Sequence, residues 1–145
     1  MTELDALVGE WTFTMRFPDE SFPEMHGRMT IEWMVGEKFL IQRSEADHPA
    51  APSGHCLIGY DESRGTLLQH YFDSRGVARV YEMTFADGEW TLSRTTPDFS
   101  ELGFWQRYSG RMTGDEIAGA WETSHDEGAT WEKDFDISFT RTASG

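Results

Sequence analysis

Two arginines and a tyrosine share the apolar face of a hairpin predicted around Asp87-Gly88. This dipeptide favours a type I′ turn, because both central positions of that turn need positive φ. A two-residue turn pairs Tyr81 with Arg94 and puts Arg79 on the same face as Phe85. Guanidinium groups bind carboxylates bidentately, and a buried one is costly without a counter-charge. The pattern therefore predicts a patch inside the protein that binds an anion.

Neighbouring hairpins extend this inward set. A four-residue turn over Asp73–Gly76 would place His70 opposite Arg79, with no acid in the patch. A turn around Val35–Glu37 would direct Arg43 inward. A turn at Gly114-Asp115 would direct Tyr108, Trp121 and His125 inward. The complete predicted ligand-binding set is Arg43, His70, Arg79, Tyr81, Arg94, Tyr108, Trp121 and His125.

Three functions are compatible with this set. The first is binding of a small amphipathic ligand, with an anionic group of the carboxylate type, in a cavity with an apolar wall. The second is an enzyme such as a cyclase, isomerase or hydratase, with His70 or His125 as general base and Tyr81 or Tyr108 as the acid. The third is haem binding through one inward histidine.

Composition and motifs argue against several other classes. A net charge of −14 disfavours nucleic acid and anionic membranes as partners. One cysteine and no His-x-His or His-x-x-x-His pair disfavour a zinc site. For the first function we predict no metal and no cofactor. The N-terminus does not resemble a signal peptide, and no stretch reaches the ~20 apolar residues of a membrane span. We therefore predict a cytoplasmic protein whose partner is a small hydrophobic or amphipathic molecule.

The elements that must position these residues are strands. About ten segments alternate apolar and polar residues and are joined by short turns, so the prediction is an all-β, antiparallel up-and-down barrel forming one domain over residues 1–145. A short helical turn capped by Thr2 precedes them. In the last strand, alternation turns Trp131, Lys133 and Phe135 inward and Asp134 outward.

Two points stay open at this level. The loop Asp61–Gly65 can be counted as four or five residues, which leaves the orientations of His55 and Cys56 undecided. Trp105 is predicted to face outward, either under a loop or as the contact of a possible homodimer.

Several segments together resemble a known family. Leu7–Trp11 is similar to the Gly-x-Trp opening of calycin barrels, the lipocalins and fatty-acid-binding proteins. The combination of IGYDESRG, QHYFDSRGV, DGEWTL and WETSHDEGATWEKDFDISFTR resembles a family of small bacterial lipocalin-like barrels of unestablished function. The resemblance covers nearly the whole chain. It implies a calycin barrel with a central cavity and implies no reaction.

Overall fold

The structure is a computed structural model that describes residues 3–49, 51–99 and 101–142. A 3₁₀ helix over Glu3–Leu7 precedes the strands, and Thr2, the predicted cap, lies outside the described residues. The strands are β1 Gly9–Arg16, β2 Met25–Trp33, β3 Leu40–Ala46, β4 Gly54–Asp61, β5 Thr66–Asp73, β6 Ala78–Ala86, β7 Glu89–Arg94, β8 Trp105–Thr113, β9 Glu116–Ser124 and β10 Glu132–Arg141.

These strands form a closed barrel in which each strand is antiparallel to its neighbours in sequence, and β1 also pairs with β10. The predicted ten-stranded up-and-down barrel is confirmed. Short turns make sequential pairing the easiest topology, and closure leaves no strand edge unpaired.

The 3₁₀ helix covers one end of the barrel. Its last residue, Leu7, is fully buried, and the Trp11 indole donates a hydrogen bond of 3.0 Å to the Leu7 carbonyl. The Arg141 guanidinium lies 4.2 Å from the centre of the Trp11 ring and donates to the Ala6 carbonyl at 2.6 Å. The central cavity therefore opens at the opposite end, which we call the mouth, where the longer loops lie.

Two predicted registers are confirmed. Phe85 pairs with Trp90 across the Asp87-Gly88 turn, and Tyr108 pairs with Trp121 in the β8–β9 hairpin. Both turn residues have positive φ, 52° at Asp87 and 79° at Gly88, as a type I′ turn requires. These turns therefore place the β6–β9 side chains as the sequence indicates.

The β5–β6 hairpin is shifted by one residue from its prediction. Its turn has three residues, since the Asp73 amide donates to the Val77 carbonyl at 3.0 Å and Gly76 has a φ of 86°. His70 consequently pairs with Val80 and lies on the outer face, so its predicted inward orientation is wrong. Phe72, also predicted inward, is 40% exposed.

The β2–β3 hairpin is also shifted by one residue. The Met34 amide donates to the Phe39 carbonyl at 2.8 Å, and the loop contains Glu37 with a φ of 54°. Arg43 therefore pairs with Thr30 and faces solvent. The prediction that Arg43 faces inward is wrong, because the extra loop residue reverses the alternation of β3.

A β-bulge interrupts the last strand. Lys133 pairs with Glu122 and Phe135 with Trp121, so Asp134 is the extra residue between them. Lys133 lies outside and forms an ion pair with Asp136 at 3.1 Å. The inward orientation predicted for Lys133 and the outward one predicted for Asp134 are both wrong.

The structure also answers the points that the sequence left open for His55, Cys56 and Trp105, and it corrects the position of Trp131. The β4–β5 loop has four residues, since Asp61 pairs with Thr66, so Cys56 is buried toward the interior and His55 is exposed. Trp105 is partly covered by the loop that contains Gly128. Trp131, predicted inward, lies outside under the Arg107 guanidinium, 4.0 Å from its ring centre.

Candidate ligand-binding cavity

The barrel encloses a cavity of about 670 Å³ that reaches the mouth. Cavities in this size range hold one small ligand. Its wall is mainly apolar and aromatic, because inward positions alternate with polar outward ones along each strand. The apolar part of the wall includes Phe13, Met15, Met25, Met29, Trp90, Leu92, Phe135, Ile137 and Phe139.

Arg79 is the arginine that β6 directs into this cavity. Its Nη1 donates a hydrogen bond of 3.0 Å to Oε1 of Gln106, and the Tyr81 hydroxyl donates to the same oxygen at 3.2 Å. Within the described ranges, no carboxylate oxygen lies within 4.0 Å of the Arg79 guanidinium. Gln106 therefore fixes the side chain without neutralising its charge.

Arg94 is buried as its register predicts, but it does not line the cavity. Its guanidinium donates to both carboxylate oxygens of Asp98, at 2.8 and 2.9 Å. The prediction that no acid accompanies the arginines is wrong, because the β7–β8 loop folds back over β6 and supplies Asp98. Arg94 therefore already has the counter-charge that a ligand anion was expected to provide.

The predicted aromatic residues are brought together at mid-depth. Trp121 contacts Tyr81 and Tyr108, each with ring centroids 5.4 Å apart. Burial raises the pKa of both tyrosines, so both hydroxyls stay protonated and can donate. Tyr108 Oη has no hydrogen-bond partner among the described residues.

A second polar cluster lies at the mouth. The Asp73 carboxylate accepts hydrogen bonds from the Tyr71 hydroxyl at 2.6 Å and from Arg75 Nη2 at 2.7 Å. Burial opposes ionisation of Asp73, but these hydrogen bonds outweigh it and lower the pKa to about 2. Arg75 is thus neutralised at the rim, whereas Arg79 is not.

Several cavity residues were missed by the sequence reasoning. Gln69 and Tyr71 line the cavity because of the shifted β5–β6 register, and Asp134 lines it because of the bulge. One signal was present in the sequence: strict alternation placed the charged Lys133 among apolar residues, and a bulge removes that conflict.

The two candidate histidines lie apart. His70 is outside the barrel, in a groove beneath the loop 95–98, and so cannot act as a base in the cavity. His125 lines the cavity at its rim, is exposed, and contacts the Phe104 ring. Any chemistry that needs a histidine in the cavity is thereby restricted to His125 among the described residues.

Other chemistry-bearing groups have plain surroundings. Burial raises the pKa of the Cys56 thiol to about 12, so it is protonated at neutral pH. Among residues 3–49, 51–99 and 101–142, no cluster of three or more His, Cys, Asp or Glu side chains is arranged to hold a metal ion. None of the helices found in those ranges is long and apolar enough to cross a membrane.

Comparison with known proteins agrees with this fold. The chain is similar to the crystal structure of Rv2717c from M. tuberculosis, with a TM-score of 0.62 and 15% identity over 98% of each chain. At that identity the similarity shows the fold alone. The shared fold confirms that this chain resembles the lipocalin-like barrels. A search of curated proteins finds no match. A family model matches residues 2–141, and the chain belongs to this family, DUF1579, described as a protein of unknown function.

Proposed function

We propose that this protein binds a small amphipathic molecule with an anionic, carboxylate-type group in the barrel cavity. The observation that carries the proposal is the Arg79 guanidinium, which faces the cavity without a carboxylate within 4.0 Å in the described part of the chain. A partly buried cation without a carboxylate in ion-pair contact favours binding of an anion from solution.

The surroundings of Arg79 support a bidentate contact with such an anion. One of its nitrogens donates to Gln106, which leaves the remaining N–H groups available to a ligand. The apolar wall formed by residues such as Leu92, Ile137 and Phe139 suits a hydrocarbon or aromatic tail. Two other predicted arginines are not part of the proposed anion site. Arg94 forms an ion pair with Asp98, and Arg43 forms one with Glu32.

Titration with carboxylic acids tests the proposal. Dodecanoic, 1-naphthoic and cholic acids are added to the protein, and binding is followed by tryptophan fluorescence, since Trp90 and Trp121 line the cavity. The variant Arg79→Gln is expected to bind the best of these acids at least ~10-fold more weakly, because a charge-assisted hydrogen bond contributes about 1.5–3 kcal/mol.

The matched control is Arg43→Gln, which removes an exposed arginine on the outer face and should leave binding unchanged. Failure of all three acids to bind, or equal affinity of Arg79→Gln and wild type, would overturn the proposal. The cytoplasmic location, the exclusion of nucleic acid and membranes as partners, and the homodimer predicted from the sequence remain predictions.

A further inference from the structure

Asp134 is a carboxylate that the β10 bulge brings to the cavity. It lines the cavity at the mouth, whereas strict alternation would have placed it outside. Its carboxylate forms no hydrogen bond or ion pair with any residue in the described ranges. The neighbouring carboxylate Asp136 lies on the outer face and is paired with Lys133.

Asp134 and Arg79 face the same cavity without contacting each other. Both side chains line the cavity. Burial raises the pKa of Asp134, and the positive charge of Arg79 opposes that shift. They are nevertheless more than the 4.0 Å of an ion pair apart within the described structure. Besides Arg75, which Asp73 pairs, the polar end of the cavity therefore presents the positive group of Arg79 and the negative group of Asp134, which are not in contact.

A ligand with only a carboxylate would satisfy Arg79 and be repelled by Asp134. We propose that the ligand is a zwitterion with an apolar tail, in which the anionic group binds Arg79 and an ammonium group binds Asp134. An α-amino acid with a long aliphatic side chain is the simplest molecule of this class. This inference rests on the proposed function and adds the second charged group of the ligand.

Three probes of equal chain length test the anionic and the cationic group of the ligand separately and together. Decanoic acid carries the anion, decylamine carries the cation, and 2-aminodecanoic acid carries both. Isothermal titration calorimetry at pH 7 measures the affinity of each probe for wild type, Asp134→Asn and Arg79→Gln. The control is Asp136→Asn, which removes a carboxylate of the same strand on the outer face.

We expect wild type to bind 2-aminodecanoic acid at least ~10-fold more tightly than decanoic acid, since each charge pair contributes a charge-assisted hydrogen bond. Asp134→Asn should abolish this preference, by weakening binding of the amino acid and strengthening that of decanoic acid. Asp136→Asn should keep the wild-type preference. Asp134→Ser repeats the test with a smaller neutral side chain, should the asparagine variant fold poorly.

The outcomes separate the two proposals. If decanoic acid binds in an Arg79-dependent way but the added ammonium gives no gain, the zwitterion inference is wrong and the proposed function stands. An unchanged preference in Asp134→Asn also overturns the inference. If neither decanoic acid nor 2-aminodecanoic acid binds to wild type, the zwitterion inference is wrong, and the proposed function is also wrong if dodecanoic, 1-naphthoic and cholic acids fail to bind.

Discussion

The Arg94 guanidinium and the Asp98 carboxylate form a bidentate ion pair whose side chains are only 2% and 5% exposed. The same carboxylate accepts a hydrogen bond of 2.8 Å from the Val80 amide, beyond the last pair of the β6–β7 ladder, Glu82 with Ser93. The Asp98 side chain from the β7–β8 loop thus pairs with the buried Arg94 cation. It also accepts a hydrogen bond from the Val80 N–H group, which lies beyond the paired part of β6 and β7.

Removal of the Asp98 carboxylate should destabilise the protein strongly. Asp98→Ala is expected to lower the free energy of unfolding by about 3–5 kcal/mol, because it removes the carboxylate that binds the buried Arg94 guanidinium bidentately. Urea denaturation of wild type and variant measures this difference. Asp98→Asn keeps hydrogen-bonding capacity but not the charge, so its free energy of unfolding should lie between those of wild type and Asp98→Ala.

The exposed pair of Arg107 and Glu122 is the control for that prediction. Its nitrogen and oxygen are 2.7 Å apart, yet both side chains are partly exposed, so Glu122→Ala should cost no more than about 1 kcal/mol. Equal losses for the buried and the exposed pair would contradict the assigned burial of Arg94 and Asp98.

The barrel itself could be predicted from the sequence, because alternation and turn composition are local properties. The Asp87-Gly88 turn allows only one loop length, and the register that follows from it is correct. The turn ending at Gly76 has three residues where four are predicted, and this difference of one residue decides whether His70 lies inside or outside.

The site was harder to predict, because it depends on contacts distant in sequence and on irregular backbone. Asp98 reaches Arg94 from a loop without periodicity, so alternation could not indicate it. The inward positions predicted for Arg43 and Lys133 are both wrong and have one feature in common. Each places a charged side chain among apolar residues, and the cost of burying that charge favours a shifted register.

Tyr108 depends on two facing glycines, Gly110 and Gly119. A Cβ at Gly110 would overlap the Tyr108 hydroxyl, so Gly110→Ala should destabilise the barrel by about 1–3 kcal/mol. Gly103→Ala is the control, since nothing lies within 4 Å of a Cβ at that position. Thermal unfolding of both variants checks the prediction, which is wrong if the two melting temperatures are equal.

Asp73 should make stability depend on pH in the acid range. Its folded pKa of about 2 is lower than the ~3.9 of an unfolded chain, so its contribution is present above the unfolded value and is lost as pH falls toward the folded one. The difference in unfolding free energy between wild type and Asp73→Asn should therefore shrink between about pH 5 and pH 2. A constant difference across that range would contradict the assigned hydrogen bonds.

The enzymatic and haem-binding alternatives both come to depend on His125. If cyclase, isomerase or hydratase turnover, or a Soret shift on adding haemin, is observed, it should be lost in His125→Ala and kept in His70→Ala, because His70 is outside the barrel. Activity or haemin binding that survives His125→Ala would exclude a cavity histidine as its cause.

Cys56 offers a chemical test of its inward position, which the sequence left undecided. It is 4% exposed and burial raises its pKa to about 12, so the reactive thiolate is scarce at pH 8. Ellman's reagent should modify the native protein far more slowly than the urea-unfolded chain, in which the pKa is about 8.5. His55→Cys in a Cys56→Ser background is the matched control, since His55 is exposed on the same strand and its thiol should react quickly in the native state. If native Cys56 reacts as fast as that control, β4 has the opposite orientation.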